Sequence, residues 1–551
     1  MKVWDNIKGL FQRGARALQR TAASTGIARE FKDIFEIGGV PAFNQFYNFG
    51  IFVWKMLYRG FYKPWHLIPA PTVADPAAKR QVYRLNTAKA VSAEMASLVW
   101  GEECEVRVSS NGWTEQTNED GVVTNPDPLN EFIQDVLRRN AFGEKMQELV
   151  EQALALGGSA IKVWRDVRRD QDGNEVPGTE ALWLGYCMAD QFVPTAWDNA
   201  RVTEGVFISR VAKSGYYYTR LEWHQWNGAT YVVRNELYRA EMQKGANADS
   251  QDILGVRWPL ADLYPWLDEE TEIPVEESLF SYFRTPIANN LDDNSPLGMS
   301  VYGNALETLH ALDICYDSFV REFRLGKKRI IVPARAVRTV VDPQTNQVRR
   351  YFDPGDETYE ALASDDPNDL KITDNSVELR VEEHIAALNA FLSILCLQVG
   401  FSASAFSFDQ NQGLKTATEV VSENSKTYKT IKTVQNQLVP ALEHMVRNII
   451  DVAILYDMQW QGQSVQQLAA RGYEVKVTFD DGVTQDRQTN LNEGVMLVGA
   501  GLLSKFTFLT DRKYGQGLTE KDAKAELDRI RQENQSTIDV NQLRLFGGVG
   551  E

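Results

Sequence analysis

Cysteine and histidine are scarce in this sequence. Four cysteines (Cys104, Cys187, Cys315, Cys396) and five histidines are scattered over 551 residues. No CxxC pair occurs, so neither a disulfide framework nor a zinc site is indicated, and buried thiols in a reducing compartment are the expectation. His224, in an aromatic strand-like run, and His384, near a helix start, read as packing or surface residues rather than ligands. A GxxxxGK[ST] phosphate loop is missing, so ATP hydrolysis by this chain is not expected. GxSxG, HExxH and Cys-plus-His arrangements are missing too, and no catalytic residue or cofactor is indicated. Long apolar runs are absent: Phe49 to Tyr62 is cut by Lys55 and Arg59 and is too short to cross a bilayer, so neither a signal peptide nor a membrane span is expected. Cations are the minority, with 58 Lys and Arg against 75 Asp and Glu and a net charge of −17. That balance argues against a protein that coats nucleic acid, which needs clustered cations to displace counterions. It leaves room for one that DNA slides past without sticking.

Against these absences stands enough apolar material for a large core, 43% of the residues. The length suggests three or four packed units. The first twenty residues set Trp4, Ile7, Leu10 and Phe11 on one helical face, with Lys2, Lys8, Arg13, Arg16 and Arg20 elsewhere. Docking of that segment on the protein itself or on a neighbour is favoured over a membrane-surface helix, which stays open. Residues 80 to 160 read as mostly helical, with Leu85, Ala88, Val91, Met95 and Leu98 at helical spacing. A second helix there ends in Ala153-Leu154-Ala155-Leu156 and stops at Gly157-Gly158, where glycine tolerates a left-handed cap. Residues 160 to 240 switch to strand character, and Asn227-Gly228 offers a turn between two aromatic strands. Base stacking by these aromatics is conceivable. Sheet packing is preferred, because Arg220 is the one cation interleaved with them.

Asn294-Ser295-Pro296 reads as a helix start, with Ser295 as cap and Pro296 at the first helical position, opening a helix to about Leu325. Lys327-Lys328-Arg329, a short strand at Ile330 to Val332 and a turn-rich insert follow. The insert is charge-split: residues 321 to 350 hold nine Lys/Arg and two Asp/Glu, and residues 351 to 380 hold two and nine. Solvated faces would explain this; so would head-to-tail pairing between copies of the chain. A helix from Val381 to Val399 ends at Gly400, and the small, polar stretch after it reads as a mobile loop. Thr416 and Glu419 form a capping box for a helix from Ala417 to Leu455, about 58 Å long and expected to kink at Pro440. A strand, Tyr473 to Phe479, leads into Asp480 and Asp481. These two with Asp486 could hold Mg²⁺ for a nuclease, but a turn and helix cap is the commoner use of adjacent carboxylates. Thr519 and Asp522 mark a final helix.

Taken in order, these motifs resemble phage portal proteins, of the group also described as portal or minor capsid proteins in phages with long non-contractile tails. Trp54-Lys55-Met56-Leu57-Tyr58-Arg59-Gly60 and Leu85-Asn86-Thr87-Ala88-Lys89 with Glu94-Met95-Ala96-Ser97-Leu98 open the series. Ala153 to Gly158 and Tyr218-Thr219-Arg220-Leu221-Glu222 continue it. Asp293-Asn294-Ser295-Pro296-Leu297-Gly298, Leu312-Asp313, Tyr316-Asp317-Ser318-Phe319 and Gly326-Lys327-Lys328-Arg329-Ile330 are its most telling part, and Thr416 to Val420 and Phe479-Asp480-Asp481 complete it. The basic first 45 residues match nothing in the pattern.

The resemblance implies an α+β portal fold assembled as a ring, usually of twelve subunits. By position it assigns 1–45 to a basic N-terminal segment, 46–295 to a wing of helices and antiparallel sheet, and 296–325 to a first stem helix. The clip would be 326–380, the second stem helix 381–400, the tunnel loop 401–416 and the long helix to the wing 417–455. A wing return at 456–504 and a crown with tail at 505–551 complete the division. Such a ring would sit at a capsid vertex of the virion after assembly in the host cytoplasm, passing double-stranded DNA in packaging and ejection. Its implied partners are the terminase large subunit, the head–tail connector, and the major capsid and scaffold proteins. Lys327, Lys328, Arg329 and Lys415 are the candidate tunnel cations, with pairing to a neighbour's acids as the competing role. Phe406, Ser407, Phe408, Asp409, Gln410 and Asn411 fall in the tunnel loop. Arg335, Arg338, Arg349, Arg350, Asp353, Asp356, Glu357, Asp365 and Asp366 are candidate clip contacts to subunits or partners. A metal-dependent nuclease and another head–tail adaptor or structural protein are the alternative readings.

Overall fold

The structure, a computed structural model, describes residues 45–510 except 72–74, 102–103, 114–124, 168–175, 177–178, 200, 243–253, 293–294, 327–328, 332–337, 342–347, 352–372, 376–377, 404, 407–416 and 480–486; it also describes 518 and 523–530. Side chains are described except at 45–49, 329–331, 338–341, 348–351, 373–375, 417–424 and 487–491. The chain opens with helix α1 (Gln45–Tyr58), the short antiparallel pair β1 (Leu67–Pro69) and β2 (Lys79–Gln81), and helix α2 (Thr87–Val99). Strand β3 (Glu105–Ser110) and helices α3 (Pro128–Arg139) and α4 (Phe142–Leu156) follow. Asp127 caps α3 by accepting the Leu129 amide at 3.0 Å, with Pro128 at the first helical position. Gly157 ends α4 at φ +94°, and a Cβ there would lie 2.0 Å from the Gly298 carbonyl, so both conformation and space demand glycine.

Strands β4 (Gly158–Asp166) and β5 (Ala181–Met188) join β12 (Phe280–Arg284) in a three-stranded sheet, ordered β12-β4-β5. Between them in sequence, β6 (Phe192–Asp198), β7 (Arg201–Lys213), β8 (Tyr216–Asn227) and β9 (Thr230–Glu241) form an antiparallel meander. Its outer edge carries β10 (Val256–Trp258) and β11 (Glu270–Ile273), both paired to β9. The two sheets meet where the rings of Phe192, Phe207 and Phe280 lie 4.8 to 5.6 Å apart. Tyr217, Trp223 and Tyr231 are buried in the meander, and Arg220 is ion-paired to Glu222 at 2.6 Å, so these aromatics serve packing. The turn at Asn227-Gly228 is where the pattern puts it, with Gly228 at φ +65°.

Helices α5 (Leu306–Leu325), α6 (Val381–Val399) and α7 (Ala417–Leu455) carry the second half of the chain. The α7 helix runs unbroken through Pro440 and packs against β12 and β4, burying Leu438, Leu442, Met445, Ile449 and Ala453. Strand β17 (Tyr473–Thr478) pairs with β3. Helices α8 (Arg487–Gly499) and α9 (Lys505–Thr510) and a helical turn at 523–530 complete the described chain. No described helix is long and apolar enough to cross a membrane.

Three expectations need correction. The helix does not start at Pro296: residues 295–305 are non-helical, and α5 begins at Leu306. This stretch uses its backbone on other elements. The Val301 amide donates to Leu154 at 2.9 Å, and the Met299 carbonyl lies 2.7 Å from the Thr285 hydroxyl. Leu297, Met299 and Tyr302 are buried, so cross-chain contacts override the local capping signal. Second, residues 80 to 160 are mostly helical as expected, in α2, α3 and α4, but they also include β3, whose partner β17 lies more than 360 residues away. Third, Cys396 is buried, whereas Cys104, Cys187 and Cys315 are half-buried; all four are free thiols.

An ionic knot fixes α7 to the sheets. Glu277 lies 3.0 Å from Arg201, 3.3 Å from His444 and 3.6 Å from Arg447. Burial pushes the His444 imidazole down to about 4, against the pull of Glu277. His444 is therefore neutral in the fold at neutral pH and gains its proton more readily when unfolded. Its contribution is complete above the unfolded value near 6.5 and is lost as pH falls toward 4, on the order of 3 kcal/mol. Urea unfolding between those pH values should show this slope, and His444→Gln should flatten it; an unchanged slope in the variant would assign the acid sensitivity elsewhere.

Candidate functional site

Helices α5 and α6 lie antiparallel, so the insert between them is presented from one end. At that end Arg380 grips Glu322 with two hydrogen bonds, Nε at 3.1 Å and Nη2 at 2.8 Å. The guanidinium holds the Glu322 carboxyl down to about 2. The Phe319 ring lies 5.2 Å from both Phe323 and His384. The base of the insert is itself closed by strand pairing. Strand β13 (Arg329–Ile331) pairs with β16 (Thr373–Asn375), and β14 (Arg338–Val341) forms a ribbon with β15 (Val348–Tyr351).

Further along α5, two carboxylates one turn apart clasp the β1–β2 segment. Asp317 receives Arg80 through two hydrogen bonds of 2.8 and 2.7 Å and the Tyr83 amide at 3.1 Å. Asp313 accepts the Leu85 amide at 2.8 Å and lies 3.0 Å from His66 Nε2. The Tyr62 amide donates to His66 Nδ1 at 2.8 Å, so a neutral His66 carries its proton on Nε2 and gives it to Asp313. Trp65 stacks on His310 at 4.6 Å, and burial lowers the His310 pKa.

The other end of α6 is capped by side chains of α7. Lys426 Nζ donates to the Leu397 carbonyl at 2.8 Å, and Thr430 to that of Gly400 at 2.8 Å. The Ser402 amide donates to the Thr427 hydroxyl at 2.8 Å. Phe401 is buried, and its ring lies 5.4 Å from that of Phe406. Phe406 thus contacts Phe401 of its own chain at the start of the loop.

The remaining candidates are only partly placed. Arg329 lies on β13, Arg338 on β14, and Arg349 and Arg350 on β15. Cross-strand pairing puts Arg338, Arg349 and Tyr351 on one face of the ribbon and Arg350 on the other. Lys327, Lys328, Arg335, Asp353, Asp356, Glu357, Asp365, Asp366, Ser407, Phe408, Asp409, Gln410, Asn411 and Lys415 lie outside the described residues, as do Thr416, Asp480, Asp481 and Asp486. Among the described residues no group of three or more His, Cys, Asp or Glu could hold a metal ion.

The exposed surface of the helix pair mixes apolar side chains with charged ones, among them Glu307, Arg321, Arg324, Glu382 and Glu383. On α6, Ala386, Ala390, Ile394 and Leu397 recur at three- and four-residue spacing and are all exposed, Leu397 by 67%. On α5 the same spacing runs Ile314, Ser318, Arg321 and Leu325, all exposed, with Ile314 at 51% and Leu325 at 55%, so this face is apolar only at its two ends. An exposed apolar stripe of this kind gains stability when a partner covers it.

The family described as phage portal protein, SPP1 Gp6-like, matches residues 51–539. The chain belongs to that phage portal family. Among solved structures, it is similar to a chain in the neck of an empty GTA particle computed with C6 symmetry, at 12% identity over 77% of this chain and 88% of that one, with a TM-score of 0.37. It is also similar to a chain in the virion of a native gene transfer agent particle, at 11% identity with the same coverages and a TM-score of 0.33. No curated protein matches it. In this portal chain, the groups that set the helix pair in place are Asp313, Asp317, Glu322, Arg380, Lys426 and Thr427. Sequence reasoning quoted Asp313 and Asp317 as part of a motif without a role. Their four-residue spacing on one helix face was the available signal.

Proposed function

We propose that copies of this chain close into a ring, of twelve subunits by family analogy, at one vertex of a viral capsid. Double-stranded DNA passes through that ring during packaging and ejection. The observation that carries this reading is the exposed apolar stripe on α6, with Ile314 and Leu325 exposed on α5 beside it. A neighbour's α5 covering the α6 stripe removes these side chains from water and repeats identically around an axis. In this reading α5 and α6 are the stem, the insert from 326 to 380 is the clip, 401–416 is the tunnel loop, and α7 joins it to the wing. The clip docks the terminase large subunit, which supplies ATP hydrolysis, and then the head–tail connector; the wing meets the major capsid and scaffold proteins.

The net charge of −17 suits a conduit, since an acidic wall repels phosphate and lowers friction. A few cations centre the duplex without trapping it, because each neutralised phosphate adds affinity and salt dependence. Lys327, Lys328, Arg329 and Lys415 take that role. Replacing Lys327, Lys328 and Arg329 together by Ala should reduce the DNA packaged per particle while native mass spectrometry shows the same oligomer. Loss of the oligomer would instead assign these cations to contacts between subunits.

A further inference from the structure

The outer edge of the six-stranded sheet carries a preorganised acidic and aromatic surface that nothing above uses. Between Trp258 and Phe283 the chain has seven carboxylates and no Lys or Arg. Of these, Glu277 is committed to the α7 knot and Glu269 faces Arg257 at 3.7 Å. Asp262, Asp268, Glu270, Glu272 and Glu276 are all exposed. On the same segment Trp266 is 57% exposed, and on the neighbouring strand β10 Val256 is 62% exposed.

The segment bearing Trp266 is held rigidly. Asn235 takes it back to β9 with its amide on the Glu269 carbonyl at 2.7 Å and its Nδ2 on the Asp268 carbonyl at 3.1 Å. Leu260 is buried beneath it. The Tyr264 ring sits 5.4 Å from the Arg220 guanidinium and meets Trp266 edge-on at 6.0 Å. Glu270 faces Arg234 across the strands and Glu269 faces Arg257, but Asp262, Asp268 and Glu272 stay exposed. A half-exposed indole in such a carboxylate-rich segment fits a partner with an apolar face and a cationic one, and aromatics are the usual anchors of such contacts.

The chain itself contains a segment with that chemistry. Residues 1–20 carry five Lys and Arg against Asp5, with Trp4, Ile7, Leu10 and Phe11 at helical spacing. They precede the family match, which begins at residue 51. The 24 residues between this segment and α1 span up to about 80 Å when extended. We propose that residues 1–20 of this chain dock on the acidic surface around Trp266, their apolar face on Trp266 and Val256 and their cations on Asp262, Asp268, Glu270 and Glu272. The inference does not depend on ring closure.

Photo-crosslinking in the full chain tests it, with benzoylphenylalanine in place of Trp4 and the attachment site mapped by mass spectrometry. Crosslinks should fall within residues 256–276. Trp266→Ala, and separately Glu270→Lys with Glu272→Lys, should each lower their yield about tenfold at an unchanged melting temperature. Raising NaCl from about 0.05 to about 0.5 M should lower it as well. Crosslinks mapping elsewhere overturn the proposal. So does a yield indifferent to both variants, or attachment only to added phosphatidylserine vesicles.

Discussion

Leu397→Glu is expected to leave the chain folded and to abolish its self-association. The Leu397 side chain is 67% exposed and packs into no core of its own subunit, so a carboxylate there stays hydrated in the isolated chain. The Lys426 contact at this position goes to the backbone carbonyl and survives the change. In the assembly the same carboxylate is desolvated between α6 and a neighbour's α5, at a cost on the order of 3–5 kcal/mol per interface. The dissociation constant for each contact rises about 10²–10⁴-fold, and a closed ring suffers that loss at every seam. Native mass spectrometry should show monomers, with a melting curve for the monomer no lower than about 1 kcal/mol below the parent. Intact oligomers from Leu397→Glu would mean that the stripe on α6 faces something other than a second copy.

The second large effect is on stability. Glu222, its side chain 12% exposed, receives Lys162 at 2.5 Å, Arg220 at 2.6 Å and His224 Nε2 at 3.1 Å. Because the Glu222 carboxylate facing Nε2 can only accept, a neutral His224 carries its proton on Nε2 and takes the Tyr231 hydroxyl proton at Nδ1, 2.7 Å away, while the Tyr231 oxygen accepts the Leu279 amide at 3.1 Å. Burial opposes the charge on Glu222, but Lys162 and its other partners win and hold the carboxyl well below its usual range. Burial lowers His224 despite Glu222. Glu222→Ala leaves Lys162 and Arg220 without their counter-charge, with side-chain exposures of only 13% and 17%. The expected loss is about 3–5 kcal/mol in urea unfolding at pH 7. Adding Lys162→Met to Glu222→Ala should restore part of it, because one stranded charge disappears. A single-variant loss below about 1 kcal/mol would show that water reaches the cluster and that the pairing contributes little.

How much was legible in the sequence depended on how local the determining contact is. The bounds of α6 and α7 were readable because a run of periodic leucines ends at Gly400 in the left-handed region, and because the next periodic run is long enough to average over weak positions. The hairpin at Asn227-Gly228 was readable for the same reason. Ser295-Pro296 misled because its capping chemistry is real but is outweighed by contacts to α4 and to Thr285. Strand β3 was hidden because its partner arrives from β17. The clasp was invisible as a site: Asp313 and Asp317 meet Leu85 and Arg80 across more than 220 residues. The exposed stripe could have been found, since Ala386, Ala390, Ile394 and Leu397 follow helical spacing. Pattern alone, however, cannot say whether an apolar stripe of a helix is covered by its own chain or left for another.

The central claim is that identical subunits close around a common axis wide enough for a DNA duplex. Electron microscopy of the purified full-length chain, viewed end-on, tests it most directly. The account predicts a closed ring of identical subunits with an axial opening of at least about 20 Å, the diameter of a duplex implied by its groove depths. Monomers, open filaments or a disc without a hole would contradict it.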